Sequence, residues 1–200
     1  MSASDDKRRR ILEAAEQVFA RQGYDASPVS DVATEAGVAY GLVFHYFGSK
    51  EALLDAVFHA VWERLLAALR HVEETGEAAP AQLALVVKIV LRAWRDDPNL
   101  VRLLVREVTR HPNVAGELDE IGQALALNER IIKTGQEQGT LRSDVDARLA
   151  AWMLYGALEE VLTGWVLGQL PDGPDDVAAA EREVIATVVG GLLDTNTRSY

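Results

Sequence analysis

Apolar residues recur every three or four positions along most of the chain, which is the spacing of one face of an α-helix. The first such stretch runs over residues 11–19 and is expected to end at Gly23. No stretch alternates apolar and polar residues for long enough to indicate a strand. The pattern therefore predicts an all-α protein of about nine helices.

Glycine, proline and short polar residues mark where these helices begin and end. Ser27 is expected to cap the second helix, and Gly37 to end it. A short third helix is expected over 39–46, and Ser49 is expected to cap the fourth. The later helices are predicted at about 50–74, 81–95, 99–110, 115–137, 146–168 and 174–193.

The composition is that of an ordinary globular protein, with 48% apolar and 26% charged residues. The chain has no cysteine, which excludes disulfides, thiolate metal ligands and a cysteine nucleophile. It shows neither a signal-peptide pattern nor an apolar run long enough to span a membrane. We therefore expect a cytoplasmic protein with no membrane partner.

Charge is distributed unevenly along the chain. The net charge of −11 argues by itself against a nucleic-acid partner. However, residues 1–70 carry a net charge of only −2 and include the basic cluster 7–10, whereas residues 71–200 carry −9. Salt screens distant charges beyond about 10 Å, so an acidic remainder is compatible with DNA binding by the N-terminal part. The basic cluster is interpreted either as a solvated helical turn or as an arm that reaches the DNA backbone.

Residues 29–48 have the spacing of a helix-turn-helix. Ala33 is small enough for two helices to cross closely, and Gly37 follows four positions later, where the turn favours a positive φ. Val32, Val38 and Val43 are apolar where the two helices must pack on each other. A chance corner between two helices is the alternative interpretation of this spacing.

The helix after the turn is expected to present Tyr40, Gly41, Leu42 and His45 outward, where such a helix reads base edges in the major groove. Phe44 and Phe47 are expected in the core. Tyr46 is expected to reach a phosphate through its hydroxyl. Two further phosphate contacts are expected at helix N-termini, which attract anions, namely from Ser27 and Lys50.

The segment 37–54, GVAYGLVFHYFGSKEALL, resembles the signature of the tetracycline-repressor (TetR) family of bacterial transcription regulators, and the similarity extends over about residues 8–58. The resemblance implies a homodimer with a DNA-binding domain over 1–50 and a ligand-binding and dimerisation domain over 51–200. It also implies repression of an operator that a small-molecule effector releases. Transferred by position, the DNA-contacting residues are Ser27, Ala39, Tyr40, Gly41, Leu42, His45, Tyr46 and Lys50.

Three positions depart from the family pattern. Ala39 stands where a capping serine or threonine is common, and Tyr40 and Leu42 replace residues that are often polar. We therefore expect base recognition to depend more on apolar contacts.

The eighth and ninth helices are apolar on more than one face, so each is expected to bury one face in its own subunit and another in a partner. Four helices, two from each subunit, would form a two-fold interface. A thick monomeric core is the alternative. The candidate interface residues are Val161, Trp165, Val184, Val188 and Leu192.

Several wide aromatic residues are candidates for an apolar effector pocket, although such residues fill cores more often than they line pockets. The resemblance adds that fatty-acid or acyl-CoA effectors occur in parts of this family. The candidate pocket residues are Trp62, Trp94, Arg106, Trp152 and Tyr155.

An enzyme is the competing class of protein. The four histidines are spread along the chain without the spacing of a metal-binding pair, and no glycine-rich loop is placed to hold a phosphate. We therefore expect neither catalysis nor a cofactor or metal, beyond an unidentified effector. A DNA-binding architectural protein without an effector is the second alternative, and the large C-terminal part argues against it.

Overall fold

The computed structural model describes residues 3–108 and 115–193. Within these residues the chain is helical, and the prediction of an all-α protein is confirmed. An isolated bridge pairs Leu141 with Leu193, and no longer strand forms in the described part. The helices are α1 Ala3–Gln22, α2 Val29–Ala36, α3 Tyr40–Phe47, α4 Lys50–Glu74, α5 Ala79–Asp96, α6 Pro98–Val108, α7 Ala115–Glu137, α8 Ala147–Val166 and α9 Pro174–Val184.

Most helix ends lie within a few residues of their predicted positions because local residues set them. Gly37 ends α2 in the left-handed conformation, at φ 64°. Ser49 caps α4 by accepting a hydrogen bond from the backbone N–H of Ala52 at 3.1 Å. Beyond α9 the chain continues through a π-helical segment, Ile185–Val189, instead of the single α-helix expected to 193. The expected interruption at 111–113 lies outside the described residues.

The chain divides into two compact units. The head unit comprises 1–63 and 97–117, and the body unit comprises 64–96 and 118–200. Helix α4 contributes residues to both, and α6 belongs to the head unit. The packing thus places the first boundary between the compact units after residue 63, and not after residue 50. The boundary between DNA-binding and ligand-binding functions at residue 50 stays a prediction.

The head unit is built around one apolar core. Helix α1 supplies Phe19 and α2 supplies Val32, both fully buried. Val43 is the buried residue of α3, as its place in the helix-turn-helix spacing predicts. Leu103 of α6 also joins this core, which the sequence did not indicate.

Polar bridges and close packing hold the body unit together. The guanidinium of Arg92 on α5 donates two hydrogen bonds, of 2.9 and 3.0 Å, to the carboxylate of Glu181 on α9. Arg130 on α7 does the same to Glu73 at the end of α4, which lowers the pKa of that carboxyl. Glycine at 135 leaves room for Leu141 to pack over α7, because a Cβ there would lie 2.7 Å from its Cδ1.

Candidate nucleic-acid interface

The turn between α2 and α3 has the geometry that its residues predict. The backbone N–H of Val38 donates to the carbonyl of Ala33 at 3.0 Å, across the left-handed Gly37. Ala33 is buried, which brings the two helices close together. The guanidinium of Arg10 on α1 donates a hydrogen bond to the carbonyl of Ala36, so the end of α2 is also tied to α1. These contacts hold α3 in a defined place on the head unit.

Helix α3 presents a pair of aromatic rings to solvent. Tyr40 is 55% exposed and Phe44 is 37% exposed, and their ring centroids lie 5.1 Å apart in an edge-to-face arrangement. The prediction that Phe44 lies in the core is wrong, because Val43 takes the inward position of this short helix. The four-residue spacing of Tyr40 and Phe44 was the sequence signal for a shared face.

The other predicted residues on α3 have mixed surroundings. Ala39 is exposed and precedes the helix in an extended conformation without a side-chain cap. His45 is exposed, and its ring centroid lies 5.3 Å from that of Tyr46. Leu42 is half-buried. The side chains of Ala39 and His45 are therefore accessible to another molecule, whereas part of the Leu42 side chain is covered by the head unit.

Nothing in the described part of the chain requires glycine at position 41. Gly41 is exposed, and a Cβ built there meets no atom within 4 Å in the described structure. Its φ also lies outside the positive range that favours glycine. An alanine would therefore fit the described structure, and glycine at 41 leaves room for a close approach by another molecule.

The N-terminal part of α1 contacts α3. Tyr46 shares a 3.1 Å hydrogen bond with the hydroxyl of Ser4, and the guanidinium of Arg8 lies 5.0 Å from the ring centroid of Phe47. Arg9, by contrast, forms ion pairs with Asp6 at 2.8 Å and with Glu13 at 3.1 Å. The basic cluster is therefore helical, and its members differ: Arg8 is held beside α3, whereas Arg9 is neutralised within α1.

Lys50 is held inside the head unit at the start of α4. Its ammonium donates a 2.6 Å hydrogen bond to the carbonyl of Tyr24 and lies 4.3 Å from the centroid of that ring. An ammonium has three N–H donors, so the bond to Tyr24 leaves donors that a phosphate could use. The phosphate contact of Lys50 stays a prediction. The observed contacts also give Lys50 a structural role, because they join α4 to the segment that follows α1.

The phosphate role expected of Ser27 is corrected. Ser27 is fully buried, and its hydroxyl donates a 2.7 Å hydrogen bond to the carbonyl of Gly23. The N-cap position of α2 is taken by Pro28, and no side chain caps that helix. The side chain of Ser27 therefore satisfies the end of α1 and is not presented to a ligand.

The candidate pocket residues do not share one environment. Trp62 and Arg106 belong to the head unit, where Trp62 is half-buried and Arg106 is exposed. In the body unit Tyr155 is half-buried, and Trp94 is buried with its ring centroid 5.8 Å from that of Trp165. Trp152 is 51% exposed in the single chain, and its place in an effector pocket stays a prediction.

Three of the candidate interface residues also lie elsewhere than expected. Trp165, Val184 and Leu192 are buried within the body unit itself, and the indole of Trp165 donates to the carbonyl of Pro171 at 3.0 Å. Val161 and Val188 are half-buried and remain candidates. The exposed apolar residues of α8 are instead Leu149, Trp152 and Met153.

In the part of the chain that the structure describes, no three histidine or carboxylate side chains group as a metal site would need. No described helix combines the length and apolarity of a membrane span.

The head unit thus contains a helix-turn-helix with an exposed second helix, which defines a class of DNA-binding proteins. Residues 11–57 match the family model for bacterial regulatory proteins of the tetR family, and residues 63–189 match the C-terminal region of YsiA-like proteins. The chain belongs to the TetR family, and it is a DNA-binding transcriptional regulator. The resemblance deduced from segment 37–54 is confirmed.

Named relatives cover nearly the whole chain. The fatty acid metabolism regulator protein of Bacillus subtilis is 28% identical over 96% of this chain and 98% of its own. The transcriptional repressor KstR2 of Rhodococcus jostii is 28% identical over 96% and 93%. The crystal structure of the regulator FadR from Bacillus subtilis in complex with stearoyl-CoA superposes with a TM-score of 0.76, at 28% identity over 92% and 98%.

Proposed function

We propose that this regulator is a repressor that binds a palindromic operator as a homodimer and is released by a long-chain acyl thioester. The exposed Tyr40–Phe44 pair on the helix after the turn is the observation that carries the DNA-binding part. Rings of this kind contact thymine methyl groups and sugars, whereas charged side chains would read guanine. The operator is therefore expected to carry A·T pairs where α3 meets the major groove.

Phosphate contacts surround this aromatic face in the proposed complex. Arg8 supplies a positive charge beside α3, and His45 and Ala39 are exposed on or next to that helix. The backbone N–H groups at the start of α3 lack a side-chain cap, so a phosphate oxygen can accept from them. Phosphate contacts fix the register, and the rings on α3 then select the sequence.

The apolar face of α8 is the proposed dimer contact. Leu149, Trp152 and Met153 lie three and four residues apart, so they form one patch that the single chain leaves exposed. Large exposed apolar patches mark interaction sites. A two-fold axis through this patch would pair it with itself and set two α3 helices about one DNA turn, or 34–36 Å, apart.

The proposed effector class rests on the relative that was solved with stearoyl-CoA and on the apolar interior of the body unit. Helices α5, α7 and α8 each contribute several buried aliphatic residues to this interior. Helix α4 contributes residues to both units, so it is the element through which effector binding is proposed to act on α3. A typical coupling of about 1–3 kcal/mol would lower operator affinity about 5- to 150-fold.

Fluorescence anisotropy tests this proposal with a labelled duplex selected by the protein from random DNA. Added stearoyl-CoA is expected to raise the Kd for this duplex within the 5- to 150-fold range of a typical coupling. Coenzyme A without an acyl chain is the control and is expected to leave the Kd unchanged. An operator affinity that stearoyl-CoA does not alter would refute the proposed effector.

A further inference from the structure

Asn128 is a polar residue on the buried face of α7. It is only 3% exposed. Its neighbours on the same face of the helix, three and four residues away in each direction, are Ala124, Leu125, Ile131 and Ile132, and all four are buried. The amide of Asn128 therefore lies within an apolar stripe in the body unit.

The amide oxygen of Asn128 has no hydrogen-bond partner among the described residues, although less than 1 Å² of it is accessible. Leaving a buried acceptor unsatisfied is costly, and most such groups in native proteins have a partner. An aliphatic residue would avoid this cost among these neighbours. The oxygen is thus available to a donor from outside the described residues.

Gln82 provides a matched comparison within the same unit. It is also a buried amide, at 7% exposure. Its amide nitrogen donates hydrogen bonds of 3.2 Å to the carbonyls of both Val72 and Glu73, which lie in the last turn of α4. Gln82 therefore serves the fold, whereas the described residues supply no hydrogen bond to the amide oxygen of Asn128.

We propose that Asn128 is a polar contact of the effector in the body unit, where its amide oxygen accepts a hydrogen bond from an uncharged N–H or O–H group of a largely apolar ligand. The proposal rests on the proposed function and deepens it, because it selects among apolar effectors. An acyl-CoA fits this chemistry, since its pantetheine arm carries two amide N–H groups next to the thioester. A free fatty acid does not, because its ionised carboxylate only accepts hydrogen bonds.

Ligand binding by the full-length Asn128→Leu variant tests the proposal, with stearoyl-CoA and stearate as the probes. Leucine keeps the branched shape and removes the acceptor, so affinity for stearoyl-CoA is expected to fall about 5- to 150-fold. Affinity for stearate is expected to stay unchanged. The smaller Asn128→Ala variant guards against overpacking and is expected to lose affinity for stearoyl-CoA in the same range.

Unfolding by urea, without ligand, separates this role from a structural one. Asn128→Leu is expected to unfold at a urea concentration no lower than the unsubstituted protein, because the free chain loses no hydrogen bond. The control variant Gln82→Met is expected to unfold earlier, because it loses the two hydrogen bonds that Gln82 donates to the carbonyls of Val72 and Glu73 at the end of α4. A loss in Asn128→Leu that matches the control would show that the free protein already uses the amide, and would overturn the proposal.

The outcomes also distinguish this inference from the proposed function. If the unsubstituted protein binds stearoyl-CoA and both Asn128 variants bind it equally well, the role of Asn128 is wrong and the effector class stands. If the unsubstituted protein does not bind stearoyl-CoA, the effector class is wrong and the assignment of Asn128 to it falls as well.

Discussion

Two helices of this protein expose large apolar side chains, and their charged neighbours differ. Helix α3 exposes Tyr40 and Phe44 in the head unit, with Arg8 held against the nearby Phe47. Helix α8 exposes Leu149, Trp152 and Met153 in the body unit, and its exposed charges have both signs, with Arg148 next to this patch and Glu159 and Glu160 further along the helix. The apolar signal is the same, but α3 has a basic neighbour, whereas the charges on α8 are mixed.

This difference indicates which partner each surface fits. A polyanion is attracted to the cation beside α3, whereas the mixed charges of α8 offer it no such net attraction. An apolar patch flanked by charges of both signs fits another protein surface, and a second copy of the chain supplies the same patch. Charge context therefore separates a DNA contact from a dimer contact where exposed apolar area alone does not.

The largest expected effect comes from a charge placed in the α8 patch. Trp152→Asp is expected to give a monomer, because two carboxylates would face each other across the two-fold axis. Sedimentation equilibrium measures this change. Loss of the second half-site is then expected to weaken operator binding by about 100-fold or more.

The matched control is Thr134→Asp, which adds the same charge at an exposed position on α7. It is expected to leave the dimer intact. A dimer that survives Trp152→Asp would place the subunit interface on another surface.

Removal of the rings on α3 is expected to have the next largest effect. Tyr40→Ala and Phe44→Ala each remove an apolar contact to the bases, which is expected to cost about 1 kcal/mol or more, or at least 5-fold in affinity for the selected operator. Competition between operator and random duplexes, followed by anisotropy, measures specific binding. Equal losses on both duplexes would contradict a role of these rings in sequence recognition.

Gly41→Ala is expected to move stability and DNA affinity in opposite directions. Alanine meets no atom of the described chain and favours the helix, so the melting temperature is expected to stay the same or rise. The added methyl group would obstruct close approach to the DNA backbone, so affinity is expected to fall. Thermal unfolding measures the change in melting temperature, and anisotropy on the same preparation measures the change in DNA affinity. An unchanged affinity would contradict a role of Gly41 in DNA binding.

The smallest expected effect concerns two adjacent arginines. Arg8→Ala is expected to reduce the slope of log Kobs against log salt by about 0.9, the value for one phosphate contact. Arg9→Ala removes the same charge, but Arg9 is paired within α1, so its slope is expected to stay unchanged. Equal slopes for the two variants would show that net charge, and not the position beside α3, governs the contact.

The head unit was largely predictable because its signals are local. Ala33, Gly37 and the valines act within one turn and its two helices, and their spacing alone defines the motif. The errors at Ser27 and Phe44 arose where a tertiary contact decided the outcome. The hydroxyl of Ser27 bonds to the end of α1, and Val43 takes the inward place that Phe44 was expected to share.

The body unit was less predictable because an apolar helix does not reveal which face turns inward. Trp152 and Trp165 are thirteen residues apart on α8, which places them on nearly opposite sides of the helix. The sequence alone predicts Trp152 in a pocket and Trp165 at the dimer contact. The structure buries Trp165 against Trp94 and exposes Trp152, and only the packing of α5 on α8 decides between the two arrangements.

Selection from random duplex DNA with the purified protein, followed by sequencing of the enriched pool, tests the central claim most directly. The account predicts a palindromic site whose half-sites lie about one DNA turn apart, or 10–10.5 base pairs centre to centre, or a multiple of it, and which contains A·T pairs at the α3 contacts. A pool without any enriched sequence at low salt, both with and without added cell extract, would contradict it.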